Sequence, residues 1–154
     1  RALNKIKADM ITVHISGGEK MLSLTKKMKN KTKLIGVTAL TSLNKKDIRS
    51  IYNRPNAKKL VTDMTKIAIK NRIHGIVCSP KEIKIVKKIA KRKLIIITPG
   101  IRLKNNKIKN DDQKRTLDPK KAIDLGADYI VIGRPILNSK NPKKLVQYIN
   151  EQTK

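Results

Sequence analysis

Aromatic residues are nearly missing from this chain of 154 residues, which has no Trp, no Phe and 3 Tyr. Platforms on which unpaired bases stack are thereby excluded. The single Cys78 excludes an internal disulfide and fits a reducing, cytoplasmic setting. No apolar run approaches membrane-spanning length and no signal peptide is visible, so no membrane partner is expected. Acidic residues are scarce: 11 Asp and Glu stand against 38 Lys and Arg, for a net charge of +27. A charge that large raises nucleic acid as a partner. Yet the lysines are spread through every helical segment rather than gathered in one stripe. With Ile and Asn also abundant, the basicity reads as compositional drift, with non-specific polyanion binding as its side effect.

The organising stretch is Gly126–Ile136, GADYIVIGRPI. Its apolar run, Tyr129 to Ile132, reads as a buried parallel strand that ends abruptly in Gly133-Arg134-Pro135. Gly133 lets a ligand approach the backbone, and Arg134 offers a planar fork of donors suited to a phosphate. The plainer reading of Arg134 is a loop-capping side chain.

Upstream, Met10–His14 is a β-rich run that ends in the Ser16-Gly17-Gly18 turn and leads into a helix from about Glu19 to Lys29. Leu34–Leu40 is the next strand and ends at Thr41-Ser42. Asn44 to Asn56 reads as a polar connection. Ala57 to Lys70 carries Leu60, Met64, Ile67 and Ala68 at helical spacing. Gly75–Cys78 is a short strand, followed by Ser79-Pro80-Lys81-Glu82, a capping box with Pro at the first helical position. Ile83, Val86 and Ile89 lie on one face of that helix. Leu94–Thr98 is a fully apolar strand that runs into Pro99-Gly100-Ile101-Arg102. The segment from Leu103 to Thr116 is long, polar and aperiodic, a kind of loop that is uncommon unless functional or disordered. Asp118-Pro119 starts a short helix that stops at Gly126, and Asn141-Pro142 caps a last helix carrying Leu145, Val146 and Ile149. About five apolar strands alternating with helices form an α/β pattern, a parallel sheet covered by helices.

The carboxyl ends of the strands bring together His14, Ser16, Thr41, Ser42, Cys78, Ser79, Arg102 and Arg134. Two arginines, hydroxyls and glycine backbone on one rim make an anion-binding mouth. In (β/α)8 barrels the loops after the last two strands often hold a phosphate, and Arg102 and Arg134 follow the last two strands here. Individually, His14 reads as a structural hydrogen-bonder or a catalyst, Cys78 as a small core residue, Ser79 as a cap and Ser16-Gly17-Gly18 as a turn. No metal-ligand cluster or nucleophile elbow is apparent. Acid–base chemistry is the weak point: Asp118 is explained as a cap and Asp128 precedes a strand.

Taken together, VHISGG (13–18), VTALTSL (37–43), GIVCSPKE (75–82), TPGIR (98–102), DDQKR (111–115) and GADYIVIGRPI (126–136) resemble bacterial orotidine 5′-phosphate decarboxylase, in order and along nearly the whole chain. The resemblance implies the (β/α)8 TIM-barrel family, with only about five C-terminal strand–helix units present. Residues 1–154 would form the C-terminal portion of a single barrel domain. It also implies a homodimer that converts orotidine 5′-phosphate to UMP and CO2 without metal or cofactor. The family's phosphate-gripping Arg and Gly map onto Arg134 and Gly133, its lid Gln onto Gln113, and its TPGIR Arg and LTS Thr onto Arg102 and Thr41. Its Asp-x-Lys-x-x-Asp motif, with a further Asp and Lys, has no counterpart from Arg1 onwards. That motif would lie upstream, leaving this segment without catalytic residues and inactive alone. A sheet of five strands cannot close, so its edges should expose apolar surface and unpaired backbone. Two alternatives stand beside this reading: a related phosphate-binding barrel lyase such as a hexulose-phosphate synthase, and an inactive remnant that binds polyanions non-specifically.

Overall fold

The computed structural model describes residues 6–28, 31–91, 94–103 and 116–154. Five strands, β1 (Met10–His14), β2 (Lys33–Val37), β3 (Gly75–Val77), β4 (Ile95–Thr98) and β5 (Tyr129–Ile130), form one sheet in the order β1-β2-β3-β4-β5. Every pairing is parallel, with Thr12 opposite Ile35, Ile35 opposite Gly75, Gly75 opposite Ile95 and Ile97 opposite Tyr129. Parallel neighbours require crossovers, and the helices supply them. These are α1 (Gly18–Met28), α2 (Lys45–Tyr52), α3 (Ala57–Lys70), α4 (Ile83–Ala90), α5 (Pro119–Asp124), α6 (Arg134–Leu137) and α7 (Pro142–Gln152). Short 3-10 turns at Ile15–Gly17 and Pro80–Glu82 lead into α1 and α4.

The core lies between the sheet and these helices. Leu34, Ile76 and Ile96 from adjacent strands are buried against Leu60, Val61 and Met64 of α3 and Ile83 and Val86 of α4. The 3.6-residue spacing of the apolar positions in α3 and α4 puts them on one stripe, and the lysines fall opposite. The other sheet face carries Ile35, Gly75 and Ile95. A Cβ built on Gly75 would meet the Ile95 carbonyl oxygen at 2.6 Å and Ile35 Cδ1 at 2.8 Å. Glycine is what lets β2, β3 and β4 close up at that point.

Local signals set the helix ends. Ser79, Asp118 and Asn141 each accept a backbone N–H in the first turn of the helical segment that follows, as their sequence context predicts. Gly126, after α5, has φ of +101°, a conformation that side chains resist. The polar connection expected over Asn44 to Asn56 needs correction, because it contains α2. Asn44 Oδ1 accepts from Lys46 N and Asp47 N, and Asp47 Oδ2 accepts from Asn44 N at 2.8 Å. This reciprocal capping box starts a helix whose apolar anchor is the buried Ile48. The strand expected to reach Leu40 ends at Val37, and the next residue, Thr38, donates both its N–H and its hydroxyl, the latter at 2.7 Å, to the Val77 carbonyl. The last strand is likewise shorter than the apolar run that suggested it.

Candidate functional site

All five strands run the same way, so their carboxyl ends share one rim, where ligands of parallel sheets sit. His14 ends β1 with its side chain exposed, and Ser16 follows in the 3-10 turn. Thr41 lies in the turn after β2 and is buried. Cys78 and Ser79 follow β3; both are fully buried, and the Ser79 hydroxyl accepts from Lys81 N. That makes Cys78 a core residue and Ser79 a cap, as read from the sequence.

Arg102 follows β4 and is fixed by its own backbone. Its N–H donates to the Leu117 carbonyl at 2.9 Å, and the Leu117 N–H donates to Gly100, so the chain returns beside its own departure point. Ile101 and Leu117 form a parallel bridge across this closure. The guanidinium Nη1 donates to the Ile101 carbonyl at 2.8 Å. Arg102 is half-buried. Gln113 lies outside the described residues. Gly133 and Arg134 follow β5, which pairs with β4, so the two arginines leave adjacent strands. Among the described residues, a Cβ on Gly133 would meet nothing within 4 Å, in contrast to Gly75. Packing does not require glycine there; the space beside its backbone is open to a ligand.

At the opposite, amino-terminal end of the sheet, Asp128 has a structural task. Its Oδ2 accepts from Ile96 N at 2.7 Å while its own N–H donates to the Ile96 carbonyl. His74, which the sequence did not single out, does the same for β2: its Nδ1 accepts from Leu34 N at 3.1 Å, and its N–H donates to the Leu34 carbonyl. Both side chains act as extra rungs of the ladder away from the rim. Its position just before the short GIVC strand was the only sequence signal for His74.

Two further polar side chains near the rim are buried: Glu82, read from the sequence as part of the capping box and ending the turn before α4, and Thr98, which ends β4. No group of three His, Cys, Asp or Glu able to hold a metal occurs among the described residues. No helix among them is long and apolar enough to cross a membrane.

Comparison with known proteins gives this rim a context. The description "Orotidine 5′-phosphate decarboxylase / HUMPS family" matches residues 2–149. An orotidine 5′-phosphate decarboxylase of Wolbachia pipientis is 45% identical over 150 residues, covering 96% of this chain and 65% of that protein. One from Coxiella burnetii is 37% identical over 162 residues and is covered to 67%. Among solved structures, the Lactobacillus acidophilus orotidine 5′-phosphate decarboxylase superposes with a TM-score of 0.79 at 28% identity, across 99% of this chain and 66% of that one. The Pyrococcus horikoshii enzyme shares the fold, with a TM-score of 0.69 at 22% identity. The chain thus spans about two thirds of the length of these relatives, 65% of the Wolbachia protein. An α/β sheet of five parallel strands, with relatives of 37–45% identity along nearly all of its length, places the chain in the orotidine 5′-phosphate decarboxylase / HUMPS family of TIM barrels.

Proposed function

We propose that this chain serves the decarboxylation of orotidine 5′-phosphate to UMP and supplies the part of the barrel that grips the substrate phosphate. The observation that carries the proposal is the placement of Arg102 and of Gly133-Arg134 after the adjacent strands β4 and β5, with open space beside Gly133. Arg134 gives the phosphate a planar pair of charged donors, and the Gly133 backbone permits close approach. Arg102, Thr41 and Gln113 complete the substrate contacts, with Gln113 on a lid. Binding energy from the remote phosphate is realised in closing that lid and desolvating the pyrimidine, which lowers the barrier at the reacting carbon. The acid–base groups belong to the third of the family's length that this chain does not span, so the chain by itself binds nucleotide without turning it over. No metal or cofactor takes part, the working form is a homodimer, and the compartment is the cytoplasm.

The relatives' names favour the decarboxylase over the hexulose-phosphate synthase reading, since the Wolbachia, Dictyoglomus turgidum and Coxiella proteins are all called orotidine 5′-phosphate decarboxylase. The net charge of +27 supports a second property, salt-sensitive binding of polyanions without preference for a nucleotide.

The test is a calorimetric comparison of UMP with uridine on the parent chain and on Arg134→Ala. A charge-assisted grip contributes about 1.5–3 kcal/mol. The parent should therefore prefer UMP by roughly ten- to a hundredfold, and Arg134→Ala should lose most of that preference. Equal affinities for UMP and uridine on the parent chain would refute the phosphate assignment.

A further inference from the structure

We propose that the amino-terminal end of the sheet carries a second binding site, a cleft between the ends of α4 and α5 that takes a free α-amino acid with an aliphatic side chain. The site lies at the opposite end of β4 from Arg102 and Arg134, shares no residue with that rim, and is independent of which reaction the rim serves.

The cleft has a volume of about 170 Å3 and is lined by Lys87 and Ala90 of α4, Leu94 and Ile96 at the start of β4, and Gly126 and Asp128 between α5 and β5. That is the room of about six waters at ~30 Å3 each. It falls below the ~300–1,000 Å3 of sites that hold drug-sized ligands, so the occupant is a small metabolite. Ala90, Leu94 and Ile96 are buried and give the cleft an apolar floor.

Two charged groups carry the inference. The Lys87 side chain is half-buried and lies directly over Gly126. A Cβ built on that glycine would fall 2.8 Å from Lys87 Cδ and 2.9 Å from Cε, and closer still to Nζ. The lysine stem thus packs on bare backbone while its ammonium lines the cleft. Asp128 is oriented by a different bond: its Oδ2 accepts from Ile96 N at 2.7 Å, and Oδ1 keeps its acceptor capacity. An ammonium and a carboxylate that line one cleft would ordinarily pair. Among the described residues these two do not; the ion pairs there join Arg54 and Lys59 to Asp63, Lys70 to Glu19 and Lys120 to Asp124. Lys87 and Asp128 are each held by their own contact, which keeps the two charges apart across the apolar floor. A simple anion would satisfy Lys87 and face the Asp128 carboxylate, and a simple amine would satisfy Asp128 and face the Lys87 ammonium. An amino acid such as leucine meets both, with its carboxylate on Lys87, its ammonium on Asp128 and its side chain on Ala90, Leu94 and Ile96.

The experiment titrates the full chain with L-leucine, with isocaproate, which lacks the ammonium, and with isoamylamine, which lacks the carboxylate, and follows amide chemical shifts. Leucine should shift the amides of Ile96, Gly126 and Asp128 with a Kd on the order of 1 mM, the strength open to so small a ligand. Both analogues should bind about tenfold or more weakly. Lys87→Met keeps the stem over Gly126 and removes the charge, and Asp128→Asn keeps an oxygen for the Ile96 N–H and removes the charge. Each should weaken leucine by about tenfold or more without unfolding the chain. Lys88→Met, at an exposed neighbouring position of α4, should leave leucine binding unchanged. The inference is overturned if leucine shifts nothing at about 10 mM, tenfold above the expected Kd. It is equally overturned if isocaproate binds as tightly as leucine, which would make the cleft a simple anion site on a basic surface, or if Lys87→Met or Asp128→Asn binds leucine as the parent does.

Discussion

Glycine to alanine at two positions should give different results, because one glycine is held by packing and the other stands beside open space. At Gly75 a Cβ would lie 2.6 Å from the Ile95 carbonyl oxygen and 2.8 Å from both Ile95 Cβ and Ile35 Cδ1. The first of these is backbone in a neighbouring strand, and it can move only by opening the β3–β4 ladder. Overpacking of this kind costs about 1–3 kcal/mol. Gly75 is paired on both sides, to Ile35 and Ile95, so the upper half of that range applies. For a chain of this size about 2–3 kcal/mol lowers Tm by roughly 5–10 °C. At Gly133 the same methyl meets nothing within 4 Å among the described residues, and the cost there is one of backbone alone, because φ −105° and ψ −91° lie outside the regions that residues with a side chain favour. At about 1 kcal/mol for that conformation, Gly133→Ala should lower Tm by only about 2–4 °C. Its methyl does occupy the space a phosphate would enter, so UMP affinity should fall by at least ~10-fold, about 1.4 kcal/mol. Calorimetric melting of both variants and UMP titration of Gly133→Ala decide the matter. An unchanged Tm for Gly75→Ala would refute the packing argument, and unaltered UMP affinity for Gly133→Ala would refute the phosphate seat.

Three further outcomes follow from the same geometry. His74→Ala removes the acceptor for Leu34 N and should cost about 1–3 kcal/mol, seen as a lower urea midpoint; His74→Asn, which offers an amide oxygen, should recover part of it. Asp63 has its carboxyl held below the ordinary value of 3.8, first by the hydrogen bond from Lys59 and then by that from Arg54. Its folded-state pKa is depressed, so its contribution is present above pH 3.8 and is lost as pH falls from there through the folded value. Asp63→Asn should therefore flatten the acid limb of a stability profile below about pH 4, with an effect at neutral pH of only about 0.2–1 kcal/mol for these partly exposed pairs. Finally, heparin or duplex DNA should bind with a log–log salt dependence of clearly negative slope, and a slope near zero would show that the +27 charge engages no polyanion.

Much of the fold was legible because its signals are local. Runs such as Leu94–Thr98 and the stripe of Leu60, Met64 and Ala68 declare their periods within one element, and Asp118, Asn141 and Ser79 announce helix starts by their own side-chain chemistry. Helix α2 was not legible from apolar spacing, since its single buried anchor, Ile48, sits in a polar stretch; the Asn44–Asp47 capping box was the signal available. His74 and Asp128 were opaque for another reason. Each substitutes for a rung of the ladder, and only the neighbouring strand shows which N–H needs an acceptor.

The rim divides in the same way. That Arg102, Thr41 and Gly133-Arg134 lie beyond the carboxyl ends of strands was determined by the sequence, although β2 and β5 stop at Val37 and Ile130, earlier than their apolar runs suggested. That Arg102 and Arg134 leave adjacent strands depends on the sheet order, and order is fixed by which helix faces bury against which strands. The two glycines make the point most directly. Gly75 and Gly133 look equivalent in the chain. Tertiary packing alone decides that one closes the sheet against Ile35 and Ile95 while the other faces open space, because what surrounds a Cβ belongs to residues distant in sequence.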